Sequence, residues 1–272
     1  MTRKPVVDGQ FYPRSAEELR AGIESYTPEE AASEPALGLL SPHAGYTFSG
    51  PVAGKAFARA EVSERVVLLT PSHNFSSPPF ALWTGGGWET PLGTAGMDQQ
   101  VTSALAELPM VTVNDRPHVP EHSGEVVVPF LHYHRPDVRL SVVCITASAG
   151  LDDLLAFGSA VARVLTDCEA RDSLVVASSD MSHESGAGAL EVVDQNDPLA
   201  IEQMERLDPE GLYRTVRGNG ITMCGVLPAA AMMQSVAERG GTAGELVARA
   251  TSADAPMGRG SYVVGYAGMV FR

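Results

Sequence analysis

The stretch Val66–His73, VVLLTPSH, decides the fold of this chain. A short, wholly apolar and partly β-branched run that ends at Pro-Ser-His is typical of a strand covered on both faces. Similar runs lie at Leu37–Leu40, Leu140–Thr146 and Leu174–Ala177. Four such runs predict a central sheet of buried, mainly parallel strands.

Segments with helical periodicity lie between these runs. They are listed here in chain order: about Pro51–Ala60, Asp98–Leu108, Glu125–His132, Leu151–Thr166 and Val226–Glu238. Near the end of the chain, Ser261–Phe271 alternates like a strand, and Glu245–Thr251 could pair with it. Strands that alternate with helices indicate an α/β fold with helices on both faces of the sheet. We predict one domain, residues 1–272, with a mixed, mostly parallel sheet.

Composition excludes several classes of function. The 272 residues are 44% hydrophobic, enough for one sizeable core, and carry a formal net charge of -14. Nucleic acid and anionic membranes attract basic proteins, so this charge argues against both. No apolar run is long enough to span a membrane. Three widely spaced cysteines indicate no disulfide framework, which favours a reducing cytoplasm.

Metal-capable side chains recur in comparable places along the chain. His43, His73 and His183 each follow an apolar run, and Cys224 lies in the loop GITMCG before an apolar helix. Loops that follow the strands of an open α/β sheet converge at its carboxyl edge. Imidazole is the commonest protein ligand for metals, although a single histidine at a strand end is more often a hydrogen-bonded structural residue. The pattern therefore predicts a mononuclear metal site.

Two further pairs admit two interpretations each. Asp180 and His183, in SSDMSH, could cap a following helix, or His183 could move a proton at the rim of a pocket. His122 and Glu125, in EHSGE, present the same choice between a helix cap and a pocket. Three more histidines are expected on the surface: His118, His132 and His134.

Several blocks together resemble a known family. They are R-x-P-x-V-D-G-Q-F-Y-P near the start, then S-P-H-A-G-Y-x-F-S-G, P-S-H-N, E-H-S-G-E, S-S-D-M-S-H, M-C-G and S-Y-V-V-G-Y-A. In this combination, spread over nearly the whole chain, they are similar to the Memo family (mediator of ErbB2-driven cell motility). Its bacterial members are often called AmmeMemoRadiSam system protein B. The resemblance implies a fold similar to that of class III extradiol ring-cleavage dioxygenases.

The resemblance also implies roles for individual residues. His43 and His73 would be the two imidazole ligands of the metal, and Cys224 falls where those dioxygenases have a carboxylate. His183 would be the acid/base histidine and His122 a further catalytic histidine of the pocket. A thiolate is softer than a carboxylate, so the set suits Fe(II), which we expect first, but also copper or zinc.

The remaining expectations concern the pocket and its use. Asp180 would lie beside the ligands, Tyr46 could form an aromatic wall, and Glu125 could line the pocket. The leading hypothesis is an oxidoreductase that resembles a non-haem iron dioxygenase. One alternative is a module that captures a peptide or a partner protein without catalysis, with the metal structural or absent. A small aromatic or peptide ligand is the expected occupant of the pocket. Another is a zinc hydrolase with Asp180 or Glu125 as base. Radical-SAM and AMMECR1-like proteins are the partners that the resemblance implies.

Overall fold

The structure is a computed structural model, and it describes residues 1–28, 32–258 and 260–272. Eight α-helices lie within these residues: α1 Ala16–Tyr26, α2 Tyr46–Arg59, α3 Gln99–Ala106, α4 His122–His134, α5 Leu151–Asp167, α6 Ala189–Glu205, α7 Pro209–Gly218 and α8 Val226–Glu238. The strands in the same residues are β1 Gly38–Ser41, β2 Arg65–Pro71, β3 Phe80–Leu82, β4 Trp88–Thr90, β5 Gly93–Met97, β6 Val111–Val113, β7 Arg139–Ile145, β8 Leu174–Ser178, β9 His183–Ser185, β10 Gly244–Thr251 and β11 Tyr262–Phe271.

The sheet has a parallel centre and antiparallel flanks. Its main path runs β10-β11-β1-β8-β2-β7-β3-β6, and the four strands β1, β8, β2 and β7 are mutually parallel. β11 joins this centre antiparallel to β1 and also pairs with β10, as the sequence predicted. The prediction of an α/β fold with a mixed sheet is confirmed. The last residues of the parallel strands, Ser41, Ser178 and Pro71 among them, meet at one edge.

Helices cover both faces of the sheet, which explains the apolar runs. In β2, Val67 and Leu69 belong to the core that contains α5 and α8, whereas Val66 and Leu68 belong to the core that contains α2 and α4. Successive side chains of a strand point to opposite faces. A strand that is buried on both faces therefore has no polar alternation, and VVLLT shows none.

Two helices begin earlier than their sequence predicts. α2 starts at Tyr46 and continues through Pro51, its sixth residue, although a proline beyond the first turn removes one backbone hydrogen bond of the helix. α4 starts at His122, and the side chain of Glu121 accepts a hydrogen bond from the backbone N–H of Ser123 at its N-terminus. The start of α4 matters for function, since it brings His122 to the edge of the sheet. Among the described residues, no helix has the length and apolar composition that a membrane span requires.

Candidate metal centre

Three imidazoles meet at the carboxyl edge of the parallel strands. His43 follows β1, His73 follows β2, and His122 opens α4. Their ring centroids are 4.8 Å apart for His73 and His122, and 5.5 Å apart for each of the other two pairs. One nitrogen from each ring lies within 4.8 Å of the other two. The three side chains could therefore hold a metal ion together.

The hydrogen bonds of His43 determine its tautomer. The hydroxyl of Ser178 donates to the carbonyl of Ser123 at 2.7 Å, so its oxygen is free to accept the Nδ1–H of His43, also at 2.7 Å. The backbone N–H of His43 donates to Oδ1 of Asp180 at 2.8 Å. Nε2 of His43 is thus left with a lone pair, the form that a metal requires.

Glu121 organises the other two imidazoles. It accepts hydrogen bonds from the backbone N–H of His73 at 2.7 Å and from Nδ1 of the same residue at 2.8 Å. Nδ1 of His122 lies 3.5 Å from the same carboxylate. A carboxylate behind a ligating histidine orients the ring and raises its basicity. Sequence analysis missed Glu121; its position next to His122, before a helix, was the available signal.

The electrostatics keep most of this cluster unprotonated. Burial, with the neighbouring His122 and His73, lowers the pKa of His43 well below 6.5, and burial lowers that of His122. The pKa of His73 is raised, chiefly because the Glu121 carboxylate accepts a hydrogen bond from its Nδ1–H. Burial opposes the charge of Glu121, yet the hydrogen bonds from His73 and Ser123 hold the pKa of Glu121 at about 2. Two imidazoles held neutral by burial, and a third hydrogen-bonded to a buried carboxylate, form a site that a cation can occupy.

Cys224 lies next to the cluster, where its sulfur contacts the imidazole of His43. Its Sγ lies 3.3 Å from Nε2 of His43 and accepts the backbone N–H of Asp180 at 3.3 Å. Burial and the carboxylate of Asp180 raise the pKa of the Cys224 thiol far above its usual range. Burial likewise raises the pKa of Asp180, which lies between His43 and Cys224. The thiol is therefore protonated unless a metal ion stabilises the thiolate.

His183 lies at the rim, on the short strand β9, and does not cap a helix. Its backbone N–H donates to Oγ1 of Thr222 at 2.6 Å, and its Nδ1–H donates to the carbonyl of the same residue at 3.2 Å. A carbonyl only accepts, so Nε2 of His183 retains its lone pair. The side chain is half-buried and can meet a ligand that approaches the edge of the sheet.

Glu125 and Tyr46 have structural roles instead of the predicted ones. Glu125 forms a buried ion pair with Arg3 at 2.6 Å and accepts the hydroxyl of Tyr12 at 2.9 Å. Tyr46 is buried and donates its hydroxyl to the carbonyl of Val126 at 2.8 Å. Its ring packs on Tyr12 and on Phe130 of the core, so it forms no wall of the histidine cluster.

The prediction of three surface histidines was wrong. His118 is buried and donates Nε2–H to the carbonyl of Ala81 at 2.9 Å, with its ring against two tryptophans. His132 is buried near the end of α4, and the ring of His134 stacks on Phe57 at 6.0 Å. α4 packs against α1, α2 and β2, so much of this helix is covered, which a helical pattern alone does not reveal.

The donor set fits a transition metal. Neutral imidazole nitrogens and a thiol are ligands that zinc, copper and iron accept, whereas calcium and magnesium prefer oxygen. Nδ1 of His43 and Nδ1 of His73 are hydrogen-bonded, which is the usual arrangement for ligating histidines, and Nδ1 of His122 lies 3.5 Å from the Glu121 carboxylate. The cluster could therefore hold a metal ion, and its donor atoms suit each of the three transition metals named above.

Comparisons with known proteins agree with this architecture. A family model described as "Memo-like protein" matches residues 3–270. A MEMO1 family protein of Methanopyrus kandleri is 38% identical over 100% of this chain and 99% of its own length. A MEMO1 family protein of Aquifex aeolicus is 36% identical, over 99% and 98% respectively.

Among solved structures, an uncharacterized protein from Escherichia coli K12 superposes with a TM-score of 0.50. The match covers 86% of this chain and 98% of that one at 15% sequence identity, so it shows a shared fold alone. The family model and the two relatives extend over essentially the whole chain. This chain therefore belongs to the Memo-like family.

Proposed function

We propose that this protein binds one redox-active transition-metal ion, with iron(II) as the first candidate and copper as the second, and acts as an oxidoreductase. The observation that carries the proposal is the convergence of His43, His73 and His122, with the Nδ1 atoms of His43 and His73 hydrogen-bonded. Cys224, at 3.3 Å from His43, is the candidate for a further ligand.

Each residue of the site would contribute one function. The imidazoles would hold the ion through Nε2, and Glu121 would keep the ring of His73 oriented while its charge offsets part of the charge of the metal. When bound, iron or copper would supply the one-electron chemistry that protein side chains lack. His183 has a free Nε2 at the rim and would take a proton from a substrate.

A thiol beside the imidazoles favours a redox role over hydrolysis. Thiolates select soft or borderline metals and can themselves be oxidised. A zinc hydrolase would need a general base near a metal-bound water. Glu125, one of the two candidate bases, is occupied by Arg3, Tyr12 and the backbone N–H groups of Val6 and Val7.

The first experiment measures metal affinity and stoichiometry in anaerobic titrations with Fe(II) and with copper. We expect one ion per chain, and a large loss of affinity in His73→Ala and His122→Ala. The control is His132→Gln, a histidine outside the cluster, which should bind like the wild type. Normal affinity in both alanine variants would overturn the proposed site.

Two further variants define the donor set. Cys224→Ala, compared with Cys168→Ala as a control at a distant cysteine, tests whether sulfur is a ligand; unchanged affinity and stoichiometry would remove Cys224 from the set. Glu121→Gln preserves the shape of the carboxylate and removes its charge. We expect it to lower metal affinity by roughly 10- to 100-fold, as loss of the partner of a ligating histidine usually does.

The second experiment tests catalysis. Oxygen uptake by the metal-loaded protein is measured with a panel of catechols and compared with that of free metal. Uptake above free metal that falls in His183→Gln, with metal affinity retained, supports the oxidoreductase. No uptake above free metal would leave a metal-binding module without this activity.

A further inference from the structure

A fully buried carboxyl lies outside the metal centre, in the middle of α6. Asp197 is 0% exposed and lies one helical turn after Val193, on the face with which α6 packs against β11. Its Oδ1 accepts the backbone N–H of Ser182 at 3.0 Å, whereas Oδ2 has no hydrogen-bond partner among the described residues. Burial raises the pKa of Asp197 above its usual value. A buried carboxyl with an unpartnered oxygen destabilises a fold, so stability alone does not account for this residue.

The segment that donates this hydrogen bond is an irregular part of the sheet, directly before β9. The N–H of Met181 donates to the carbonyl of Gly265 at 2.8 Å, and the N–H of Gly265 donates to the carbonyl of Ser182, also at 2.8 Å. Two residues therefore oppose one, as in a β-bulge, and the N–H of Ser182 is left without a backbone partner. Asp197 supplies that partner. β-bulges are frequent next to functional sites, where they redirect a side chain.

The side chain that follows the bulge is that of His183. This residue opens β9 opposite Val264 of β11, and its Nδ1–H donates to the carbonyl of Thr222 at 3.2 Å. After burial and nearer groups, the charge of His183 also acts on the pKa values of His43 and Asp180, so its ring lies close to the metal centre. A shift of one residue in the pairing of β9 would turn the side chain at position 183 to the other face. The bulge therefore decides on which side of β9 the imidazole lies.

Gly265 allows the carboxyl to reach the bulge. A Cβ at this position would lie 1.9 Å from Oδ2 of Asp197, far inside van der Waals contact. Any other residue at position 265 would therefore displace the carboxyl or the strand. The glycine leaves the space, and Asp197 places a hydrogen-bond acceptor in it.

We propose that Asp197 is a positioning residue for His183: its carboxyl holds the N–H of Ser182, maintains the bulge and so keeps the imidazole of His183 beside the metal centre. Asp197 acts through Ser182. The proposal rests on the proposed function only in that His183 would take a proton from a substrate. The position of the ring is a property of the metal-free protein, so failure of this proposal and failure of the metal site are distinguishable.

The test is ¹⁵N NMR of the histidine rings in metal-free protein at about pH 8, where an ordinary imidazole is neutral. The signals of His183 are identified by their loss in His183→Gln. In the wild type we expect one tautomer, with the proton on Nδ1, because the carbonyl of Thr222 only accepts. Asp197→Ala removes the acceptor and should give a mixture of both tautomers. Asp197→Asn retains a carbonyl oxygen for Ser182 and should preserve the wild-type signals.

Asp194→Ala is the matched control, one turn earlier on the same helix. This carboxylate pairs with Arg249 at 2.8 Å and is 54% exposed, so its loss should leave the His183 signals unchanged. If Asp197→Ala proves unfolded, Gly265→Ala replaces it, because the added Cβ displaces the carboxyl, and it should give the same mixture of tautomers.

Four results would overturn the proposal. The wild type could already show both tautomers, or the variant that removes or displaces the carboxyl could give the wild-type signals of His183. Asp194→Ala could change these signals as much as Asp197→Ala does, or Asp197→Asn could fail to preserve them.

A titration with Fe(II) separates positioning of His183 from support of the whole metal centre. Asp197→Ala should bind the ion like the wild type, because its hydrogen bond to Ser182 lies outside the three imidazoles. A loss of affinity equal to that of His73→Ala would show that Asp197 maintains the entire cluster, which contradicts the proposal. If the wild type itself binds no metal, the proposed function fails, whereas the tautomers of His183 still decide this proposal.

Discussion

Removal of the Arg3 guanidinium should destabilise the fold far more than its position near the N-terminus suggests. Arg3 is only 3% exposed. It pairs with Glu125 at 2.6 Å, donates to the carbonyl of Glu121 at 2.6 Å and to that of His118 at 3.1 Å, and lies 4.6 Å above the ring of Trp88. It joins the first residues of the chain to the start of α4, where the histidine cluster begins.

The magnitude follows from the burial of both partners. Arg3→Met keeps the length of the side chain but leaves the Glu125 carboxylate without its cation in a site that is 2% exposed. Loss of one partner of a buried ion pair costs about 3–5 kcal/mol, compared with about 5–15 kcal/mol for the stability of a typical protein. The expected fall in melting temperature is about 6–20 °C.

Lys4→Met is the matched control, one residue away. Its ammonium forms an ion pair with Glu89, but 71% of the Lys4 side chain is exposed, and such pairs contribute about 0–1 kcal/mol. The assay is urea unfolding followed by tryptophan fluorescence, to which Trp83 and Trp88 contribute in the core that Arg3 covers. If the free energies of unfolding of Arg3→Met and Lys4→Met agree within about 1 kcal/mol, the buried pair does not stabilise the fold as argued.

Two further predictions concern pH and packing. Burial lowers the pKa of His118 from 6.5 to about 4. Between pH 6.5 and pH 4 the imidazole is therefore protonated in the unfolded chain and neutral in the folded chain, so the free energy of unfolding falls as the pH is lowered. His118→Gln should reduce the loss of unfolding free energy between about pH 7 and 5 by about 2 kcal/mol, measured by urea titration at constant ionic strength; an unchanged loss would contradict the assignment. A Cβ at Gly225 would lie 2.3 Å from Cβ of Ser179, so Gly225→Ala should displace Cys224 and weaken metal binding. Gly218→Ala, with nothing within 4 Å of the added carbon, is the control, and equal metal affinity of the two variants would refute the packing argument.

The central strands of the sheet were predictable because a strand that is buried on both faces has an uninterrupted apolar sequence. VVLLT has no polar alternation since its odd and even residues face different cores. The boundaries of α2 and α4 were less predictable. A proline inside α2 and a glutamate cap before α4 are compatible with several starting points, and only packing selects among them.

Only part of the set of candidate metal ligands could be predicted from the sequence. His43 and His73 follow apolar runs, and the convergence of such positions at one edge is a property of the fold class. His122 lies about fifty residues beyond His73, at the start of a helix, and nothing in its local sequence predicts that this helix begins at the same edge of the sheet. Its place in the cluster depends on how α4 packs against the sheet.

The sequence by itself determined the α/β fold, the strand-end positions of His43 and His73, and the family, because these depend on local composition and on motifs that span the chain. Tertiary structure alone decided that Glu121 supports the imidazoles and that Glu125 pairs with Arg3. Glu121 immediately precedes α4 and Glu125 lies in its first turn, yet each contacts a partner from a distant part of the chain. Contacts between distant segments are set by packing, which leaves no periodic or local signal in the sequence.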